Sequence, residues 1–144
     1  MPITIAGSGT ITGISAGGLP DGVITTDDIA ANAVTYAKIG TTEQGQLCKA
    51  WVNFNGTGTV AIRASYNVSS ITDNGVGDYT VNFTSALADA NYSAVGCAGG
   101  VDPSIGDRQL STYPTSTSAC RVISGVTAAG NTYDATQVMV AIFR

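Results

Sequence analysis

Three cysteines, a single tryptophan and a scatter of aspartates are the residues whose types could do chemistry in this 144-residue chain, and no histidine accompanies them. Without histidine, Ser-His-Asp and Cys-His catalysis and His-containing metal sites are excluded. Cys48, Cys97 and Cys120 fit no CxxC or zinc spacing; they read as buried free thiols, with a Cys97–Cys120 bridge as the alternative. Asp73, Asp78 and Asp89 could supply the two carboxylates of a glycosidase. Their settings (a hairpin turn, a strand start, a short loop) give each an ordinary turn role instead. Trp51 has two readings, a stacking platform for a sugar ring or an anchor buried between subunits. The loop from Gly99 to Asp107 lacks the ligand spacing of an EF-hand. It reads as a contact loop, with Asp102, Asp107 and the adjacent Arg108 as candidate contact residues. Gly7-Ser8-Gly9-Thr10 lacks the Lys-Ser/Thr of a phosphate loop. Sequons begin at Asn55, Asn67, Asn82 and Asn91 and read as by-products of a Thr- and Asn-rich strand composition. No enzyme activity and no cofactor are expected.

The elements that must position these residues are sketched by composition. Charged residues make up 11% of the chain, against about 25% in an average soluble domain. Six Lys and Arg against ten Asp and Glu leave a net charge of −4 and no basic patch for nucleic acid. No apolar run approaches the ~20 residues of a membrane span, and no cationic stretch followed by an apolar one marks a cleavable signal peptide. A chain so poor in charge relies on Thr, Ser and Asn for hydration or buries surface against copies of itself.

Residues 1–24 carry short alternating patterns broken by glycines, with too few large apolar side chains for a core of their own. They read as an extended arm that lies on another surface. Over residues 25–40 the pattern predicts a helix. Thr26 is its N-cap, Asp27 and Asp28 lie in its first turn, Lys38 in its last, and Gly40 is the stop. Ile29, Ala33, Val34 and Ala37 recur at helical spacing as a narrow stripe. That stripe packs either on the chain's own C-terminal domain or in a short parallel bundle with the same helix of other chains. Residues 41–47 read as a linker. Residues 48–144 alternate as six to eight short strands, with Asp73-Asn74-Gly75 as a hairpin turn and Gln137–Phe143, apolar almost throughout, as a central or interface strand. The fold class is mainly β, an antiparallel β-sandwich. Strand parity puts Trp51 with Lys49 and Asn53, on the side opposite Val52 and Phe54.

Two stretches resemble a known family. Gly7-Ser-Gly-Thr-Ile-Thr-Gly-Ile-Ser-Ala-Gly-Gly-Leu-Pro-Asp-Gly-Val-Ile, followed by Asp27-Asp-Ile-Ala to Ala37-Lys38, resembles the junction segment of tailed-bacteriophage tail-fibre and head-fibre proteins. Trp51 to Phe83, from Trp-Val-Asn-Phe-Asn-Gly to Gly-Asp-Tyr-Thr-Val-Asn-Phe, is similar to a β-domain at the ends of such proteins. The resemblance implies a homotrimeric virion fibre assembled in the host cytoplasm. Its N-terminal arm would bind other virion proteins, and its β-domain would face outward towards a host-surface glycan. The shaft of a long tail fibre is nearly absent here, so a short fibre or decoration spike on the head fits as well as a tail position. A stand-alone carbohydrate-binding module is the alternative function.

Overall fold

From Cys48 onward the alternation predicts strands. The computed structural model, which describes residues 25, 27, 29–100, 108–126 and 131–144, places eight among them. They are β1 (Cys48–Asn55), β2 (Ala61–Tyr66), β3 (Val68–Gly75), β4 (Asp78–Phe83), β5 (Ser93–Gly99), β6 (Arg108–Ser116), β7 (Ala119–Val126) and β8 (Gln137–Phe143). The chain divides into two units, Met1–Ile39 and Gly40–Arg144.

In the second unit the strands form two antiparallel four-stranded sheets, ordered β2-β1-β8-β5 and β3-β4-β7-β6. β8 is central in the first sheet, between β1 and β5, as its apolar run predicts. Its inward members Val138, Val140 and Ile142 join Ala50, Val52 and Phe54 of β1. Tyr79, Val81 and Phe83 of β4 and Cys120 and Val122 of β7 complete the same apolar cluster from the other sheet. Phe54 meets Tyr79 edge-on, with ring centroids 5.2 Å apart. Each large side chain so buried contributes about 1.5–3 kcal/mol by removal from water.

The Tyr79 hydroxyl is buried within reach of two acceptors, the Gly56 carbonyl at 2.9 Å and Asp134 Oδ1 at 2.8 Å. Burial, and next the Asp134 carboxylate, push this phenol well above its ordinary pKa. Asp134 Oδ1 also accepts the Gly77 N–H at 2.7 Å. Gly77 lies at φ +67°, and a Cβ there would stand 2.5 Å from the Ser124 carbonyl oxygen. These contacts relocate the β3–β4 turn. It falls at Val76-Gly77 rather than the expected Asp73-Asn74-Gly75, because Gly75 stays paired with Asp78 and only Gly77 fits under Ser124. A second corner is held by Asn67, at φ +54°, whose amide donates to the carbonyls of Lys49 and Ser85.

The helix expected over residues 25–40 does not form among the described residues of that stretch. Its described residues hold isolated turns and a 3-10 turn at Tyr36–Lys38. Asn32 sits at φ +64°, which a right-handed helix cannot continue through. The Lys38 ammonium donates to the Ala33 carbonyl at 2.6 Å, and the Lys38 N–H to Thr35 at 2.9 Å, closing a short loop instead of a ladder. The single α-helix among the described residues, α1 (Thr41–Gln46), lies in the expected linker. There the Gln44 N–H closes on the Gly40 carbonyl at 2.8 Å, and the Lys49 ammonium caps the Gln44 carbonyl. Residues 1–24, the expected arm, lie outside the described residues.

Candidate functional site

Side chains on paired strands project to the same side, so the register of the first sheet decides what its outward face presents. Trp51 pairs with Tyr66 of β2 on one side and with Ala141 of β8 on the other, and Ala141 in turn pairs with Val95 of β5. One outward row therefore reads Tyr66–Trp51–Ala141–Val95. The next reads Ala64–Asn53–Met139–Cys97. Tyr66, Trp51 and Val95 are 59%, 40% and 52% exposed. Trp51 is thus on the expected outward side, and within the chain it remains partly open to solvent.

Between Trp51 and Val95, with Ala141 as its floor, runs a groove of about 560 Å³ that Cys97, Met139 and Asn53 also line. Asn53 supplies the polar side chain of this groove, and its Oδ1 accepts from Arg63 at 3.4 Å. The strands β1, β2, β5 and β8 contain no Asp or Glu.

The outward face of the other sheet has the opposite chemistry. The Asn82 amide donates to Ser70 Oγ at 3.1 Å and to Thr72 Oγ1 at 2.9 Å. Asn74 donates to Thr80 Oγ1 at 2.9 Å and to Asp78 Oδ1 at 3.3 Å. Arg121 grips Asp78 through two hydrogen bonds, Nε to Oδ1 at 2.9 Å and an NH2 to Oδ2. The guanidinium holds the Asp78 carboxyl below its ordinary value. Tyr113, beside Arg121 in the ladder, and the half-buried Ile123 interrupt an otherwise polar surface.

The expected candidates are dispersed. Among the stripe residues, Ile29, Val34 and Ala37 are exposed and Ala33 is half-buried; without a helix beneath them they form no common face. Asp102 and Asp107 lie outside the described residues, and Arg108 opens β6 opposite Val126. Asp73 accepts the Gly75 N–H at 3.0 Å, and Asp89 pairs with Arg144 at 2.8 Å, so these carboxylates serve turns and ion pairs. The thiols are all free. Cys120 is buried, as expected of a small apolar residue. Cys48 is half-buried and Cys97 is exposed, which corrects the reading of three buried thiols. No Cys97–Cys120 bridge forms: Cys120 is buried in the apolar cluster, and Cys97 is exposed on a strand of the other sheet. Asn55, Asn67 and Asn82, three of the four sequon asparagines, spend their amides on internal hydrogen bonds.

No family model, curated protein or solved structure matches this chain. No helix among the described residues is long and apolar enough to cross a membrane, and no group of three or more potential metal ligands occurs among them. Strand parity in the sequence singled out Trp51, but Tyr66, Val95, Met139 and Ala141 went unmarked. Their place on the face depends on which strands pair. The available signal was β8, whose alternate positions are apolar on both sides.

Proposed function

We propose that this chain is a structural component of a bacteriophage virion, a short homotrimeric fibre or decoration spike. In this reading residues 1–24 attach to other virion proteins, and the two sheets form a β-sandwich that faces outward, where a host-surface glycan is its further partner. One observation carries the proposal. The first sheet presents Trp51, Tyr66, Val95 and Met139 outward while the second covers itself with hydrogen-bonded Asn, Thr and Asp. Contiguous exposed apolar surface marks contact with protein rather than water. The low charge of the chain and its resemblance to fibre proteins point the same way. The groove contains no pair of free carboxylates, and Asp78 and Asp89 are both held as anions by arginines, so the geometry favours assembly over acid–base chemistry.

Sedimentation of the purified protein is the direct test. The expected species has three times the 14.5 kDa mass of the chain; a lone chain at micromolar concentration overturns the reading. Removal of the first two dozen residues is expected to abolish attachment to the particle and leave the strand-rich unit folded. The second reading, a stand-alone carbohydrate-binding module, draws on the groove beside Trp51. It requires a single chain whose tryptophan emission shifts with added glycan.

A further inference from the structure

We infer that the occupant of the apolar face is a second copy of this chain, joined head-to-tail, so that the Tyr66 and Trp51 half of one copy seats over the Ala141 and Val95 half of the next. The inference rests on the homo-oligomeric reading above and assigns its contact surface. Size complementarity within one face is the first reason. Its β2–β1 half projects two large aromatic rings, and its β8–β5 half offers Ala141 and Cys97 around an open groove. A twofold contact also seats each ring in the facing groove, but it joins two chains, not the three of the homotrimeric reading. A heterologous contact fills each groove with a neighbour's ring and, where the rotation between neighbours closes, gives a ring of three copies.

Charge is the second reason. Copies of net charge −4 repel one another, yet the four strands of this sheet carry none of the ten acids, and their two cations, Lys49 and Arg63, are turned onto the Gln44 carbonyl and Asn53. The face is therefore the part of the unit that a like copy approaches with least electrostatic opposition. Arg63, at the outer edge strand, is turned onto Asn53. A sugar fits less well, because sugar sites combine an aromatic platform with several convergent polar groups. Here Asn53 is the groove's polar side chain, and it already accepts from Arg63.

Two variants of the full chain, Tyr66→Arg and Val95→Arg, test this by sedimentation and thiol labelling. Both positions are exposed, so each variant is expected to keep the native circular dichroism, while its melting temperature falls by the stabilisation that assembly supplied. Alone, each is expected to fall from the wild-type mass to that of one chain, and the Cys97 thiol, slow to react with maleimide in the assembly, becomes fast. Mixed, the two retain one competent junction, Tyr66 of the Val95→Arg chain over Val95 of the Tyr66→Arg chain. The mass of two chains is expected. Retention of the wild-type mass by both variants overturns this surface and leaves the oligomeric reading standing. Dissociation without recovery on mixing overturns the head-to-tail arrangement. A wild-type protein that is already a single chain removes the reading beneath. A single chain whose Trp51 emission moves with a neutral oligosaccharide makes the occupant a sugar, and the inference fails.

Discussion

On the β3-β4-β7-β6 sheet the outward asparagines, threonines and aspartate bond one another, whereas on the β2-β1-β8-β5 sheet the outward Trp51, Tyr66, Val95 and Met139 have no such partners to engage. Both sheets have four strands, both are antiparallel, and both bury their other side in the same cluster. The difference between the faces is therefore not a by-product of fold or strand propensity. Side chains that meet water on the polar sheet share hydrogen bonds along the strand, whereas a contiguous exposed apolar patch is the kind of surface that interaction sites present.

A matched pair of central-strand substitutions tests the contrast most sharply. Ala141→Arg, on the apolar face, is expected to reduce the assembled mass from three chains to one; Thr80→Arg, at the corresponding depth on the polar face, is expected to leave it unchanged. Equal effects in sedimentation would erase the distinction. Next in size is the buried phenol that ties the two sheets together. Tyr79→Phe removes the hydroxyl shared by the Gly56 carbonyl and Asp134, which keeps the Gly77 N–H, and chemical unfolding is expected to show a loss of about 1–3 kcal/mol. Asn82→Ala removes bonds to Ser70 and Thr72 on the polar face, with an expected loss of about 1 kcal/mol and no change in mass.

The smallest effect is a pH dependence. Asp78 has its folded pKa lowered by Arg121 from an ordinary value of 3.8, so its contribution is complete above that value and disappears as pH falls through the lowered one. Melting temperatures taken on either side of this window are expected to fall less in Asp78→Asn than in the wild type. An identical fall would assign the acid sensitivity elsewhere.

Local alternation was enough to place β1 and β4, because each has one side in the core and the signal repeats every second residue, and an apolar run was enough to place β8. It was enough for the side on which Trp51 stands, too. It could not place the β3–β4 turn, which is set by Asp134, 57 residues beyond Gly77. The helix was misplaced for a related reason. Capping residues and a small apolar stripe satisfy the local rules for residues 25–40, but a dozen such residues are marginal as a helix on their own, and Asn32 turns left-handed in their midst. The candidate face was half legible, with its tryptophan visible and its other members awaiting a pairing that joins β1 to β8 and β8 to β5.

That pairing also bears on the timing of biosynthesis. Because Trp51 finds Ala141 only when β8 has docked beside β1, a ribosome must release residues up to Phe143 before the sheet is whole. A nascent chain thus displays no finished outward row until β8 has emerged. Until then Trp51 stands without the neighbour that the finished sheet gives it.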